Sequence, residues 1–330
     1  MKKVVCTVPP QRFEKYGVSF PEGWEVNFLH SPYTDEELIE ACKSADYLMI
    51  GSAGDWVRSN VTAECSHLKL IQTEGVSFDK VDVNAAKAAG IPVCNNRAVN
   101  SAAVAEHIIG LMLAALRRTV LANNQIMQEG FLEAQNAHRA AGENELGGKQ
   151  IGLIGLGAIG REVIKRLAAW GCTFCYYDVI RPSEEAEKAL GVTYLPLNEL
   201  LATSDVITMQ VPVLESTYHM IGAKELELMK PTAVYINCAR GEVVDSDALA
   251  EALEKGIIGA AAVDTTEPEP MPADHPFAKM SAAGKARLTI TPHIAGTTDE
   301  AFKRMLQWSI ANFERVENGE KPNNCVNGLG

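Results

Sequence analysis

The residues with the most chemistry to offer stand at the ends of apolar runs. Gly155-Leu156-Gly157-Ala158-Ile159-Gly160 follows the run Ile151 to Ile154 and opens a helix-like segment. An acid, Asp178, closes the next apolar run roughly 20 residues further on, the spacing of a dinucleotide site. Gly155 permits the tight strand-to-helix turn, Gly157 lets backbone approach a pyrophosphate, and Gly160 lets helix and strand pack closely. The phosphates would rest on unpaired N–H groups at the positive end of the helix. Gly-rich turns alone are common. Here the preceding strand, the helix Arg161 to Trp170 ending at Gly171, and the acid beyond it raise the signal. A carboxylate at Asp178 accepts hydrogen bonds from the ribose hydroxyls and repels a 2′-phosphate, which points to NAD; Arg181, just past it, is the residue that would suit NADP.

Three more segments share this placement: Asn237-Cys238-Ala239-Arg240-Gly241, Asp264-Thr265-Thr266-Glu267-Pro268-Glu269-Pro270 and Thr291-Pro292-His293-Ile294-Ala295-Gly296. Each follows an expected strand at its carboxyl end, where ligands bind in open α/β sheets. A guanidinium binds a carboxylate through two parallel hydrogen bonds. An imidazole exchanges a proton with a neighbouring hydroxyl or carbonyl oxygen, and a carboxylate such as Glu269 orients the ring and favours its protonated form. Singly, Arg240 reads as a surface charge, Glu269 as a loop residue beside prolines and His293 as a capped core histidine. Together, beside a dinucleotide loop, they read as a site.

Such residues need a scaffold of parallel strands. Residues 2–8, 24–29, 46–50, 68–72 and 91–94 are short strand-like runs, with helical stretches such as Thr34 to Ser44 and Val83 to Ala89 between them. Thr34 and Glu37 make a capping box, and Asp82 and Gly90 bracket the second helix. A long helical segment runs from Asn100 to about Glu129, and Ala134 to Gly148 is polar and reads as a loop. A second alternating series has strands near 150–155, 173–178, 205–211, 232–237, 257–263 and 288–291, followed by a helix from Thr298 to about Glu317. Alternation of this kind predicts two doubly wound parallel-sheet domains: residues 100–296, Rossmann-type, and residues 1–99 with 297–330, which would bind substrate.

Composition excludes several classes. A formal net charge of −12 and a pI near 5.1 argue against nucleic acid or an anionic membrane as partner. No apolar stretch approaches the ~18–20 residues of a membrane span, and the N-terminal apolar run is too short for a signal peptide, so a cytoplasmic enzyme is expected. The 8 cysteines are scattered, without a disulfide framework. Cys172 and Cys175 lie on a strand, where residues three apart face opposite ways, and the histidines form no close ligand pair. No metal is expected.

Over essentially its full length the chain resembles the D-isomer-specific 2-hydroxyacid dehydrogenases. The matching segments are Leu68 to Ile71, Gly75 to Asp82, Asn100 to His107, Gly155 to Gly160, Asn237 to Gly241, Asp264 to Pro270, and Pro292-His293. The resemblance implies a flavodoxin-like substrate domain, a homodimer, and reversible hydride transfer between NADH and C2 of a 2-oxo acid, giving a D-2-hydroxy acid. In that scheme Arg240 binds the substrate carboxylate, His293 is the acid/base and Glu269 its partner, preferred to Glu267 because the family's glutamate falls five residues after the aspartate and directly precedes a proline. Asp264 would bind the nicotinamide amide. Asn100 and the backbone around Val76 and Ser77 would face the substrate, while Gly155, Gly157, Ala158, Ile159, Gly160, Asp178, Val211, Pro212, Cys238 and His293 would line the cofactor. The pattern departs from the family at Ser77, where a second glycine is usual, at Gln210 for a common histidine, and at Val213-Leu214 for Leu-Thr. Substrate groups in one domain and Arg240 and His293 in the other imply closure about hinges near Asn100 and Gly296.

Formate and phosphite dehydrogenases are a neighbouring alternative, but formate dehydrogenases carry glutamine at the position of Glu269. Dinucleotide-sensing corepressors of the C-terminal-binding type keep the Arg, Glu and His set, so motif alone does not separate them; the chain shows no long basic or disordered extension. Phosphoglycerate dehydrogenases bind their substrate phosphate with arginines in the loop after the third strand. Here Ala53 and Asp55 fall in that loop, with Trp56 and Phe78 able to face an apolar group and Arg58 the nearest cation. The expected substrate side chain is therefore unphosphorylated and apolar or neutral.

Overall fold

A computed structural model describes residues 1–51 and 56–330, in two units. Ala53 and Asp55 lie outside the described residues. The first unit joins Met1–Asn100 to Thr297–Gly330. Its sheet comprises β1 (Lys2–Cys6), β2 (Trp24–Phe28), β3 (Tyr47–Ile50), β4 (Leu70–Thr73) and β5 (Val93–Cys94), all parallel, in the order β2-β1-β3-β4-β5 of a flavodoxin-like fold. Every residue of β3 and β4 is buried, which is why both read as short apolar runs without alternation. On one face Leu48, Ile50 and Ile71 pack with Leu38 and Val61. On the other, Tyr47, Met49 and Leu70 pack with Leu306, Ile310 and Phe313 from the helix Asp299–Glu317. That helix starts where the Thr298 side chain accepts from Ala301 N–H, and it carries Asp299 and Glu300 in its first turn. The Thr34 capping box forms in both directions, at 3.2 and 2.8 Å.

The second unit, Ser101–Gly296, holds β6 (Gln150–Ile154), β7 (Thr173–Tyr177), β8 (Val192–Tyr194), β9 (Val206–Met209), β10 (Val234–Asn237), β11 (Ala260–Val263) and β12 (Leu288–Ile290). All run parallel in the order β12-β11-β10-β9-β6-β7-β8, so the winding reverses between β6 and β9, at the mouth of the Gly155 loop. The helix Ser101–Leu116 covers one face, Ile108 and Met112 packing with Leu153, Ile236 and Ala262. The helix Ser246–Lys255 covers the other, Leu249 and Leu253 packing with Ile207, Tyr235 and Ala261.

Three expectations are corrected. The strand β8 carries no readable pattern because it is short and buries only Val192. The helix expected over Asn100 to Glu129 is two helices: Arg118 is left-handed (φ 50), Thr119–Glu129 restarts beyond it, and Asn144 N–H returns to cap the Leu116 carbonyl at 3.2 Å. The polar stretch from Ala134 is largely a helix, Phe131–Ala141. It is held by polar contacts, His138 bridging Glu143 and Gln125 at 2.9 Å each, so it lacks an apolar stripe. No described helix is long and apolar enough to cross a membrane.

Candidate active site

The dinucleotide loop is shaped by what its glycines exclude. Gly155 N–H donates to Tyr177 carbonyl at 2.8 Å, its φ is +101, and a Cβ there would lie 2.8 Å from the Gln210 carbonyl oxygen. At Gly160 a Cβ would meet the Gly155 carbonyl at 2.8 Å, whereas Gly157 faces open space. The helix Ala158–Leu167 begins directly after Gly157, leaving the first-turn N–H groups, including those of Ala158 and Ile159, without intrahelical partners. Open space above orphan donors fits a pyrophosphate. Asp178 secures the same loop: its Oδ2 accepts from Leu156 N–H at 2.8 Å and its Oδ1 from Ile180 N–H at 3.0 Å. Val211 and Pro212 follow β9, with Val211 half-buried against the core and Pro212 exposed.

Arg240 sits on a loop tied down by its own strand. Asn237, fully buried at the end of β10, accepts from Ala239 N–H at 3.0 Å and donates to the Arg240 carbonyl at 2.8 Å. Cys238 is buried in the core, and burial pushes its thiol up, followed by the nearby Asp264 charge, so it offers no thiolate. The Arg240 guanidinium donates to the Ala239 carbonyl at 2.8 Å, and among the described residues no carboxylate pairs with it. Gly241 is required by contact: a Cβ would lie 2.1 Å from the Thr266 carbonyl carbon. The arginine loop therefore lies directly on the loop that leads to Glu269.

Asp264, buried at the end of β11, is the anchor of the histidine loop. Its Oδ1 accepts from Ile294 N–H at 3.0 Å and from the Thr291 hydroxyl, and its Oδ2 from Ala295 N–H at 2.8 Å. His107 Nε2 lies 3.0 Å from Thr291 Oγ1 and 3.4 Å from Asp264 Oδ1. Burial would raise the Asp264 carboxyl, but His107, Thr291 and the two amides outweigh it and hold it low. His293 is left-handed (φ 54), a conformation that histidine tolerates better than most residues, and its N–H donates to the Asp264 carbonyl at 2.7 Å. Its Nδ1 is 2.8 Å from Glu269 Oε2, with both side chains about two-fifths exposed. That contact leaves Nε2 to exchange a proton. Glu267 is engaged elsewhere, accepting from the Tyr218 hydroxyl at 3.1 Å and meeting His219 Nε2 at 2.9 Å.

In the first unit, Val76 and Ser77 follow β4. Asn95 donates to the Val76 carbonyl at 2.6 Å, Asn96 to the Glu74 carbonyl at 2.6 Å, and Ser77 Oγ to Asp79 at 2.7 Å. Among the described residues the N–H groups of Val76 and Ser77 find no acceptor, which leaves them available to an anion. Asn100, half-buried, immediately precedes the helix Ser101–Leu116. Asn237, His107 and Thr291 position these loops although the sequence assigns them no role: Asn237 closes the buried strand β10, His107 lies inside the helix Ser101–Leu116 and Thr291 just beyond β12, and nothing local in the sequence marks their contacts. Arg58 pairs with Asp35 at 2.5 Å and lies over the Trp56 ring. Among the described residues no group of three His, Cys, Asp or Glu is arranged to hold a metal.

Comparisons with known proteins agree on one family. Residues 109–295 match the model of the D-isomer specific 2-hydroxyacid dehydrogenase NAD binding domain. The chain is 35% identical to a glyoxylate reductase of Korarchaeum cryptofilum over 90% of this chain and 87% of that one. It is 40% identical to a D-3-phosphoglycerate dehydrogenase of Methanocaldococcus jannaschii over 89% of this chain but only 54% of that protein. Among solved structures, TP0037 of Treponema pallidum, a D-lactate dehydrogenase, superposes with a TM-score of 0.82 at 26% identity, covering 99% of each chain.

Proposed function

Because the chain belongs to the D-isomer-specific 2-hydroxyacid dehydrogenases, NAD-dependent enzymes, we propose that Arg240, His293 and Glu269 carry the reaction on a 2-oxo acid whose side chain is apolar or neutral and unphosphorylated. Bound NADH would supply the hydride to C2, and bound NAD⁺ would take it in the reverse direction. Arg240, with no carboxylate partner of its own among the described residues, clamps the substrate carboxylate. His293 gives its Nε2 proton to the C2 oxygen during reduction and takes it back during oxidation. Glu269 holds Nδ1 and so fixes the orientation of the ring. The His293–Glu269 contact carries this reading, and it favours a dehydrogenase of oxo acids over one of formate, whose oxidation asks no proton of an imidazole.

For the side chain, the support is the engagement of Arg58 by Asp35, which removes the nearest cation from phosphate recognition. The assay is NADH oxidation followed by absorbance with glyoxylate, pyruvate, 2-oxoisocaproate, phenylpyruvate and 3-phosphohydroxypyruvate. The phosphorylated acid is expected to give the lowest kcat/KM; the reverse order would reject the side-chain assignment, and no turnover with any acid would favour a dinucleotide-sensing binding protein.

The working form is a homodimer in the cytosol, where the eight free thiols would stay reduced. The helix Thr119–Glu129 buries none of its residues, and Met127, Phe131 and Leu132 are 80%, 61% and 64% exposed on this helix pair, an apolar face suited to a second copy. Light scattering should give twice the chain mass, and Met127→Glu with Leu132→Glu should halve it.

A further inference from the structure

The turn after β7 holds a cation close to Asp178. Arg181 stands just beyond this acid, and a guanidinium there has the chemistry to receive a 2′-phosphate. Two of its donors are already committed. Nε and Nη2 donate to Oε1 and Oε2 of Glu187 at 2.7 and 3.0 Å, the two-point geometry of an arginine fork on a carboxylate. The guanidinium carbon lies over the Tyr194 ring in β8, 4.9 Å from its centroid.

Glu187 is itself fixed on three sides. It belongs to the first turn of the helix Glu184–Leu190, where the helix dipole favours an acid. It accepts a hydrogen bond from the buried Tyr176 hydroxyl of β7, and Tyr176 meets Tyr194 edge-on at 5.6 Å. The Glu187 side chain is 10% exposed against 52% for Arg181, so the carboxylate is the buried partner and the cation the one that reaches solvent. First the Arg181 guanidinium and then the Tyr176 hydroxyl bring the Glu187 carboxyl down to about 2, so it remains charged at any working pH.

We propose that Glu187 selects the cofactor: by holding Arg181 against Tyr194 it withholds from the ribose end of the site the positive charge that a 2′-phosphate needs, so rejection of NADP is set by Glu187 together with Asp178. The proposal rests on Asp178 marking the ribose end of the dinucleotide site. Glu187 touches no substrate and acts through Arg181, as a positioning residue.

The test is equilibrium binding of NAD⁺ and NADP⁺ to the full chain by calorimetry, with NADPH and NADH kinetics alongside. Glu187→Gln keeps the shape and the tyrosine partner while removing the charge. NADP⁺ affinity should rise about tenfold or more, the scale of one charge-assisted contact. NAD⁺ affinity should stay within about threefold, and the NADPH to NADH ratio of kcat/KM should rise in parallel. Adding Arg181→Ala to Glu187→Gln should return NADP⁺ affinity to the wild-type value. Arg181→Ala alone should leave it unchanged. A folded Glu187→Gln protein with no gain in NADP⁺ affinity, or a gain that survives in the double variant, would overturn the proposal. So would a tenfold loss of NADP⁺ affinity in Arg181→Ala, which would show Arg181 already serving the phosphate. Wild-type protein that binds neither dinucleotide would reject the site itself, and this proposal with it.

Discussion

Gly241→Ala tests whether the arginine loop and the glutamate loop act as one piece. The new Cβ would lie 2.1 Å from the Thr266 carbonyl carbon, 2.2 Å from its oxygen and 2.4 Å from Glu267 N. Carbon atoms rest about 3.5–4.0 Å apart, so one backbone segment must move by more than about 1 Å. All three obstructing atoms are main chain, and no side chain can swing aside. Overpacking of this kind costs about 1–3 kcal/mol, which in a unit of this size lowers Tm by roughly 2–12 °C. A displacement of about 1 Å between Arg240 and Glu269 is expected to lower kcat/KM about 100-fold, with little change in KM for NADH. Differential scanning calorimetry and steady-state kinetics with one oxo acid measure both effects. A variant that loses stability but keeps wild-type kcat/KM would refute the coupling of the loops; one that loses neither would refute the steric argument. Gly110→Ala is the control: with nothing within 4 Å of the added Cβ inside the helix Ser101–Leu116, it should stabilise by up to about 1 kcal/mol and leave kinetics unchanged.

Arg240→Lys should fold normally and lose about 10- to 100-fold in kcat/KM, since an ammonium cannot make two parallel contacts worth about 1.5–3 kcal/mol each; near-normal turnover would remove Arg240 from the site. Gly157→Ala should leave Tm unchanged, because its φ of −76 suits alanine and its surroundings are open, while weakening NAD⁺ binding; unaltered affinity by calorimetry would mean that no phosphate approaches there. Glu317 gives a pH dependence. Burial raises its carboxyl, but Lys2, Lys69 and Tyr47 together hold it at about 2. Its folded value therefore lies below the unfolded value of about 4.3, so its contribution is complete above that pH and fades as pH falls toward 2. Glu317→Gln should lower stability by about 1–2 kcal/mol at pH 7, discounted for its partly exposed lysines, and by progressively less from pH 4.5 downward; a gap that is constant with pH would reject the assignment.

The parts legible in the sequence were those that leave a period or a fixed spacing. Ile151 to Ile154 and Val206 to Met209 are buried on both sides of a sheet and read as unbroken apolar runs. The glycine loop was readable because turn, approach and packing each demand the same residue at a set interval. What could not be read is held by polar contacts. The helix Phe131–Ala141 buries only Ala134 and depends on His138, so its face has no stripe. Asn237 fixes the Arg240 loop and His107 reaches Thr291 across a wide sequence separation, and neither contact has a local signature. Arg181 posed an ambiguity in the sequence because its partner, Glu187, becomes a neighbour only when the helix packs beside β7 and β8.

The sheet β2-β1-β3-β4-β5 also has a history in time. Its strands leave the ribosome before Ser101–Gly296 does, yet Tyr47, Met49 and Leu70 are covered by Leu306, Ile310 and Phe313, which are synthesised after it. At about 5–20 residues per second, the intervening segment of roughly 200 residues takes on the order of 10–40 seconds to make. Throughout that interval the nascent chain carries an unfinished apolar face, while Ser101–Gly296, continuous in sequence, can collapse as soon as it is complete. Translation therefore lets Ser101–Gly296 fold while one face of the sheet over residues 2–94 is still uncovered, and during that interval this face is open to chaperones and to aggregation.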